Sequence, residues 1–351
     1  MFAPVTHILP LTIFQRRRVL PAPGRVVVRK GQKVNPLDVV AETNRNPEHL
    51  LLDLAHGLGV PPERCERFMR CEVGAEVSEG DILAGPVGFA KRVFRSPRDG
   101  RVIQIRGGQT LLEVRGQPFE LKAGLPGVVV ELIEDRGVVI EASGSVVQAV
   151  WGNGRIDSGI LAVIAGSPDE LLATQRLDVR LRGAIALAAY CRDAAPLKAA
   201  ADLPLRGLIL ASMEARLCPL ANESPFPLVV TEGFGRIPMN SIAYKLLSTN
   251  EGREVAVNAE AWQRSSGSRP EVVIPLPTSG EITIPKDSAT FSTGAVVRAL
   301  RAPYAGMVGT LVGVQPGLVR LPNGLLTQAA AVRLEDGVEA IIPLANLELI
   351  Q

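Results

Sequence analysis

The 351 residues, 46% of them hydrophobic, are enough for two or three domains, each with a core of its own. Lys and Arg total 38 against 36 Asp and Glu, so no global field gathers nucleic acid or an anionic membrane. The 34 Gly and 27 Pro argue against a mainly helical chain and for short strands joined by many turns.

Four cysteines, Cys65, Cys71, Cys191 and Cys218, show no CxxC spacing, and only three histidines accompany them. That argues against a zinc site and for free, buried thiols in a reducing compartment. No metal and no cofactor is expected. The apolar opening at 1–14 precedes its basic cluster, Arg16, Arg17 and Arg18, the reverse of a secretory signal peptide. These arginines are read as a solvated charged turn. No apolar run approaches the ~20 residues that span a bilayer, so a soluble cytoplasmic protein is expected.

The first arm contains an internal repeat. Residues 28–41 (VRKGQKVNPLDVVA) and 71–84 (CEVGAEVSEGDILA) share the pattern G-x-x-V-x-x-x-D-[VI]-[VL]-A. Each copy predicts a strand, a Gly turn, a Val that re-enters the core, and an Asp-capped turn into a second strand. With SPRDGRVI at 96–103 and a shorter echo, APGRVV, at 22–27, the pattern resembles the biotinyl/lipoyl-like barrel-sandwich hybrid over about residues 21–115. The resemblance implies a carrier lysine in a D-K-A or M-K-M hairpin. Here the corresponding tip, GPVGFAK at 85–91, holds Lys91 without those neighbours, so Lys91 is read as a plain surface lysine.

Between the two copies, residues 46–70 predict an inserted pair of helices. Pro47 opens a run with Leu50, Leu51, Leu54 and Leu58 at helical spacing, and Pro61 and Pro62 open a second. Such a pair also occurs in barrel-sandwich domains that act as docking modules. His49 and His56 then share a helix face, with no third ligand to make a metal site.

Residues 116–165 continue as β structure, with a hairpin of 127–132 and 137–141 around a polar turn. Segments 146–151 and 160–164 flank the Gly-rich GNGRIDSG at 152–159. Trp151 beside that turn is read as packing material. Ser167, Pro168, Asp169 and Glu170 look like an N-cap with first-turn acids, starting a helix.

The centre of the chain, 181–258, reads as alternating strand and helix. LRGAIALA at 181–188, LRGLILAS at 205–212 and PLVVT at 227–231 are short apolar runs suited to strands covered on both faces. Residues 196–203 and 215–222 suit crossover helices, which predicts a parallel, Rossmann-like sheet. A helix over 239–248 and a fourth strand over 254–258 follow. Ligands of open α/β sheets bind beyond the carboxyl ends of the strands. The candidate ligand-binding residues there are Arg192, Asp193, Ser212, Glu232, Gly233, Gly235 and Arg236, with the glycines and Arg236 placed to receive an anion. Neither G-x-G-x-x-G nor a Walker loop occurs, and the alternative is that Gly233 and Gly235 serve only a tight strand-to-helix turn.

Residues 263–280 shift to Ser, Gly and Pro and read as a linker, clearest at RSSGSRP over 264–270. In the last arm, TGAVVRALRAPYAGMVGTLV at 293–312 resembles the KOW motif that begins an SH3-like barrel, and the likeness extends over residues 290–351. The family contacts RNA or protein. This arm, however, sets Arg298, Arg301, Arg320 and Arg333 against Glu335, Asp336, Glu339 and Glu348, and offers only Phe291 and Tyr304 for stacking. A charge near zero gives no counterion-release term, so nucleic-acid binding is not favoured.

The expected whole is a multidomain α+β protein. It has a barrel-sandwich arm at 1–115, hairpins leading into an α/β parallel-sheet domain at 116–262, the linker, and a barrel at 281–351. With no catalytic constellation in view, the first expectation is a non-enzymatic adaptor or assembly protein that docks other proteins or copies of itself. A ligand- or cofactor-binding enzyme subunit using the strand ends, and an RNA- or ribosome-associated factor using the KOW-like arm, are the alternatives.

Overall fold

The computed structural model describes residues 2–43, 48–114, 118–263, 268–278 and 288–351. The chain is mostly β, in several sheets. It divides into two compact units, one of Met1–Val19, Val26–Ala41 and Leu121–Gln351, the other of Leu20–Arg25 and Glu42–Glu120. Part of the linker expected at 263–280 lies outside the described residues, at 264–267 and 279–280.

The larger unit is built on a twelve-stranded sheet. Its centre is a parallel run in which Ile156–Val163, Ala184–Leu187, Gly207–Met213 and Leu228–Phe234 lie side by side. Ala184–Leu187, Gly207–Met213 and the start of Leu228–Phe234 are covered on both faces, as continuous rather than alternating hydrophobicity requires, whereas Ile156–Val163 is only partly buried. One face carries Leu197 and Ala200 of helix Ala194–Asp202 and Ala221 of helix Cys218–Glu223. The other carries Ala243 and Leu247 of helix Ser241–Ser248, together with Val308 and Ile350. The expected fourth strand, Glu254–Asn258, forms but runs antiparallel, between Ile156–Val163 and Glu271–Pro275.

A seven-stranded sheet completes this unit from distant parts of the chain. Phe2–Thr6 pairs with Leu347–Ile350 on one side and Ser288–Thr290 on the other. Ile8–Val19 lies along Gly137–Gln148. These ladders explain why residues 1–19, read from sequence as part of the first arm, sit in the larger unit. They also remove the arginines from the solvated turn expected of them. Arg18 is buried and paired with Glu260, and Arg16 is paired with Glu271.

The sequence repeat is a repeat of hydrogen bonds, one copy in each unit. Gly31 N–H donates to Val129 and Gly74 N–H to Val102, while Val129 and Val102 donate back to Gln32 and Ala75. In both turns an aspartate closes the loop, Asp38 accepting from Asn35 N–H at 2.7 Å and Asp81 from Ser78 N–H at 2.8 Å. The strands that receive the two copies each begin with a glycine, Gly127 and Gly100. A Cβ there would lie 2.4 Å from the carbonyl of Glu141 or Glu113 respectively.

In the smaller unit a four-stranded sheet orders Glu48–Asp53, Gln109–Val114, Gly100–Arg106 and Glu76–Val77. Here the expected first helix is largely replaced. Residues 48–53 form a strand, and helix begins only at Leu54–Leu58, capped by Asp53 accepting from His56 N–H. Three consecutive leucines fit a strand as well as a helix, and pairing with Gln109–Val114 turns Leu50 and Leu52 towards the core. Pro47 is outside the described residues. The second short helix forms at Pro62–Cys65. In the larger unit, the helix expected at Ser167 does not form. Glu170 instead folds back to accept from Gly166 N–H and binds Arg176 at 2.8 Å, closing a turn.

Candidate functional site

The carboxyl ends of the parallel strands hold two distinct sets of groups. Ser212 and the Glu232 side chain are buried, Gly233 and Gly235 are half-buried on the turn beside them, and Arg192, Asp193 and Arg236 form a solvent-facing rim.

The inner set begins with Ser212, fully buried at the end of Gly207–Met213. Its Oγ donates to Ile237 carbonyl at 2.7 Å and accepts from Ile237 N–H at 3.1 Å, so both hydroxyl functions are used to hold the segment after the next strand. Gly235 N–H donates to Met213 carbonyl at 3.0 Å, a second tie between the same two segments. Gly233 and Gly235 have φ of 141° and 93°, values a side chain rarely adopts. A Cβ at Gly235 would meet nothing within 4 Å, so the glycine there answers to backbone geometry rather than to crowding.

Glu232 is the most constrained of the residues singled out. Its side chain is 1% exposed. One carboxylate oxygen accepts from Asn240 N–H at 3.0 Å and from Thr231 Oγ at 3.2 Å. The other is paired with the guanidinium of Arg298. Arg298 also binds Glu348, its direct cross-strand partner, and Glu348 in turn accepts from Thr6 Oγ at 2.9 Å. Arg269 continues the line, donating to Thr6 Oγ at 3.3 Å and to Val5 carbonyl at 3.0 Å. Burial opposes the charge on Arg298, but Glu232 and Glu348 outweigh it and hold its pKa above the usual guanidinium value. Two carboxylates and two guanidinium groups therefore run in sequence through the interior, from the parallel sheet to the C-terminal strands.

The rim is different in kind. Asp193 binds Arg192 at 3.0 Å and Arg216 at 3.3 Å, and Arg216 also donates to Arg192 carbonyl. Arg236 lies 3.9 Å from Asp169. These arginines are more than half exposed, where ion pairs contribute little. Beneath them Tyr190 donates its hydroxyl to Glu214, and that bond, then burial, raises the tyrosine's pKa. Arg192 and Arg236 act on it in the opposite sense. Cys191, next in sequence, is wholly buried, and burial pushes its thiol up to about 12, leaving it protonated near neutrality. Trp151 packs edge-to-face on Phe234, with centroids 6.3 Å apart.

The structure thus joins Arg192 to Asp193, and ties Ser212 and Glu232 to the loop that Gly233 and Gly235 begin. It sends Arg236 to a separate carboxylate. Arg298, Glu348, Asn240, Arg216, Tyr190 and Glu214 were not among the site residues expected from sequence. A signal existed for two of them, because Arg298 and Glu348 each interrupt an otherwise apolar strand. Among the described residues no cluster of His, Cys, Asp and Glu is arranged to hold a metal ion, and no helix is long and apolar enough to cross a membrane. No family model matches the chain, and no curated protein matches it.

Proposed function

We propose that the protein is a non-enzymatic adaptor or assembly protein that acts by docking. In this reading a barrel-sandwich arm, a Rossmann-like parallel unit and an SH3-like barrel serve as docking modules. The observation that carries it is Glu232. At the position where a ligand of an open α/β sheet would be received, its carboxylate is instead committed to Arg298 and to Asn240 N–H. Ser212 is likewise committed to Ile237.

Surface character supports the same reading. Phe89 stands fully exposed on the connection between Ile82–Val87 and Arg92–Arg95, where a carrier domain would present its lysine. Leu318, Leu325 and Leu326 are more than half exposed in the C-terminal region. Exposed apolar positions of this kind suit protein partners better than a phosphate backbone. Arg333, one of the arm's few cations, is paired with Glu339.

The test is native mass spectrometry of protein purified from its own host, beside the denatured mass. The expected species carry no small-molecule increment and contain another protein or further copies of the chain. A non-covalent small-molecule increment that disappears in Arg236→Ala overturns the reading in favour of a ligand-binding subunit. Co-purifying nucleic acid overturns it in favour of an RNA-associated factor.

A further inference from the structure

The strand Glu48–Asp53 is the outermost strand of its sheet, and no described strand pairs on its free side. Exposed edges invite pairing with another chain, and proteins blunt them by brevity, proline, lysine or a bulge. The edges of the two large sheets follow that rule. Ser288–Thr290, Trp151–Gly152 and Lys33–Val34 are two or three residues long, Glu339–Pro343 ends in a proline, and the long edge Ile8–Val19 carries Pro10 and a break in register. Glu48–Asp53 carries charge only at its two ends and has no proline, lysine or bulge. Its six residues, EHLLLD, pair with Gln109–Val114 in unbroken register, and Leu51 at the centre is 64% exposed.

We propose that this edge pairs with the same edge of a second copy, forming an antiparallel, two-fold-related dimer through one continuous sheet. Residues opposite each other in an antiparallel pair share the same hydrogen-bonding state and the same face. Because that state alternates along each strand, a two-fold axis must pass through a residue, not between two. With the axis at Leu51, Leu51 faces Leu51 of the second copy, His49 faces Asp53, and Leu50 faces Leu52. An imidazole donor thus meets a carboxylate, and every leucine meets a leucine. Moving the axis to Leu50 sets Leu51 against His49, and moving it to Leu52 sets Leu51 against Asp53. The sequence is self-complementary in one register only, which is what an isologous interface requires. This inference stands independently of whatever the strand-end rim binds.

Sedimentation equilibrium of the full chain over a wide concentration range tests it. Wild type is expected to dimerise reversibly, and Leu51→Lys, which sets two ammonium groups face to face, to remain monomeric. His49→Glu, facing Asp53, is expected to raise the dissociation constant about tenfold or more, whereas His49→Lys, which keeps a donor opposite the carboxylate, preserves the dimer. Both substituted positions are exposed, and an unchanged far-UV circular dichroism spectrum shows that the fold is intact. A wild type that stays monomeric throughout overturns the proposal. So does a dimer that survives Leu51→Lys, or one that responds alike to His49→Glu and His49→Lys.

Discussion

Arg298 and Glu348 lie directly opposite each other on neighbouring antiparallel strands, and the same guanidinium also reaches Glu232 at the end of a parallel strand in the other sheet. One buried cation therefore sits between carboxylates from two sheets. Removing one member of such a set leaves an uncompensated charge in a medium that solvates it poorly, which is far more costly than never having built the set. The arrangement ties Glu232 to the architecture of the larger unit.

If the strand ends serve the fold, their substitution should register as lost stability. Ser212→Ala removes a hydroxyl that both donates to and accepts from Ile237. Urea unfolding is expected to show a loss of about 1–3 kcal/mol. Gly233→Ala forces a side chain to φ of 141° and is expected to cost about 1–3 kcal/mol. Arg192→Ala and Arg236→Ala, on the exposed rim, should change stability by less than about 0.5 kcal/mol. A rim variant that destabilised more than Ser212→Ala would reverse this assignment.

The thiols offer a second check. Cys65, Cys71 and Cys191 are buried, whereas Cys218 is partly accessible. Burial raises all four thiol pKa values, that of Cys191 to about 12, so little reactive thiolate exists near neutrality. Maleimide labelling followed by peptide mapping is expected to modify Cys218 first and Cys191 only when denaturant unfolds the chain. Labelling of native Cys191 at the rate of Cys218 would contradict the buried strand end.

Glu170 should make the turn it closes sensitive to acid. The Gly166 N–H, and beyond it Arg176, hold its carboxyl below the usual carboxylate range. A depressed carboxyl contributes stability above its unfolded pKa of about 4.3, and that contribution is lost as pH falls through the lower folded value. Wild type is expected to exceed Glu170→Gln in stability at neutral pH, with the gap closing as acid is added. A gap that is constant with pH would show that the ionised carboxylate is not what closes the turn.

Legibility in the sequence followed the range of the interactions. The strands Gly207–Met213 and Leu228–Phe234 were readable from the runs at 205–212 and 227–231, because strands buried on both faces leave a largely apolar signature. The duplicated Gly and Asp turns were readable because each closes within a few residues, as Asp38 does on Asn35 and Asp81 on Ser78. Pairing of Val5 with Leu349 leaves no local trace, and neither does the meeting of Glu232 with Arg298. Glu232 was therefore legible as a strand-end residue, while the partner that decides its role was not. Leu50, Leu51 and Leu52 misled for the opposite reason, since their local spacing fits a helix until Gln109–Val114 supplies a ladder.

The most direct test of the account is a double-mutant cycle of Glu232→Gln and Arg298→Met, read by equilibrium unfolding. Arg298→Met alone is expected to lower stability by about 3–5 kcal/mol, because Glu232 and Glu348 lose their shared cation. The double variant should fall short of the summed single effects by about 1–3 kcal/mol, since neutralising Glu232 relieves part of that penalty. Single effects that simply add, with Glu232→Gln leaving stability untouched, would contradict the claim that this strand end is committed to the fold.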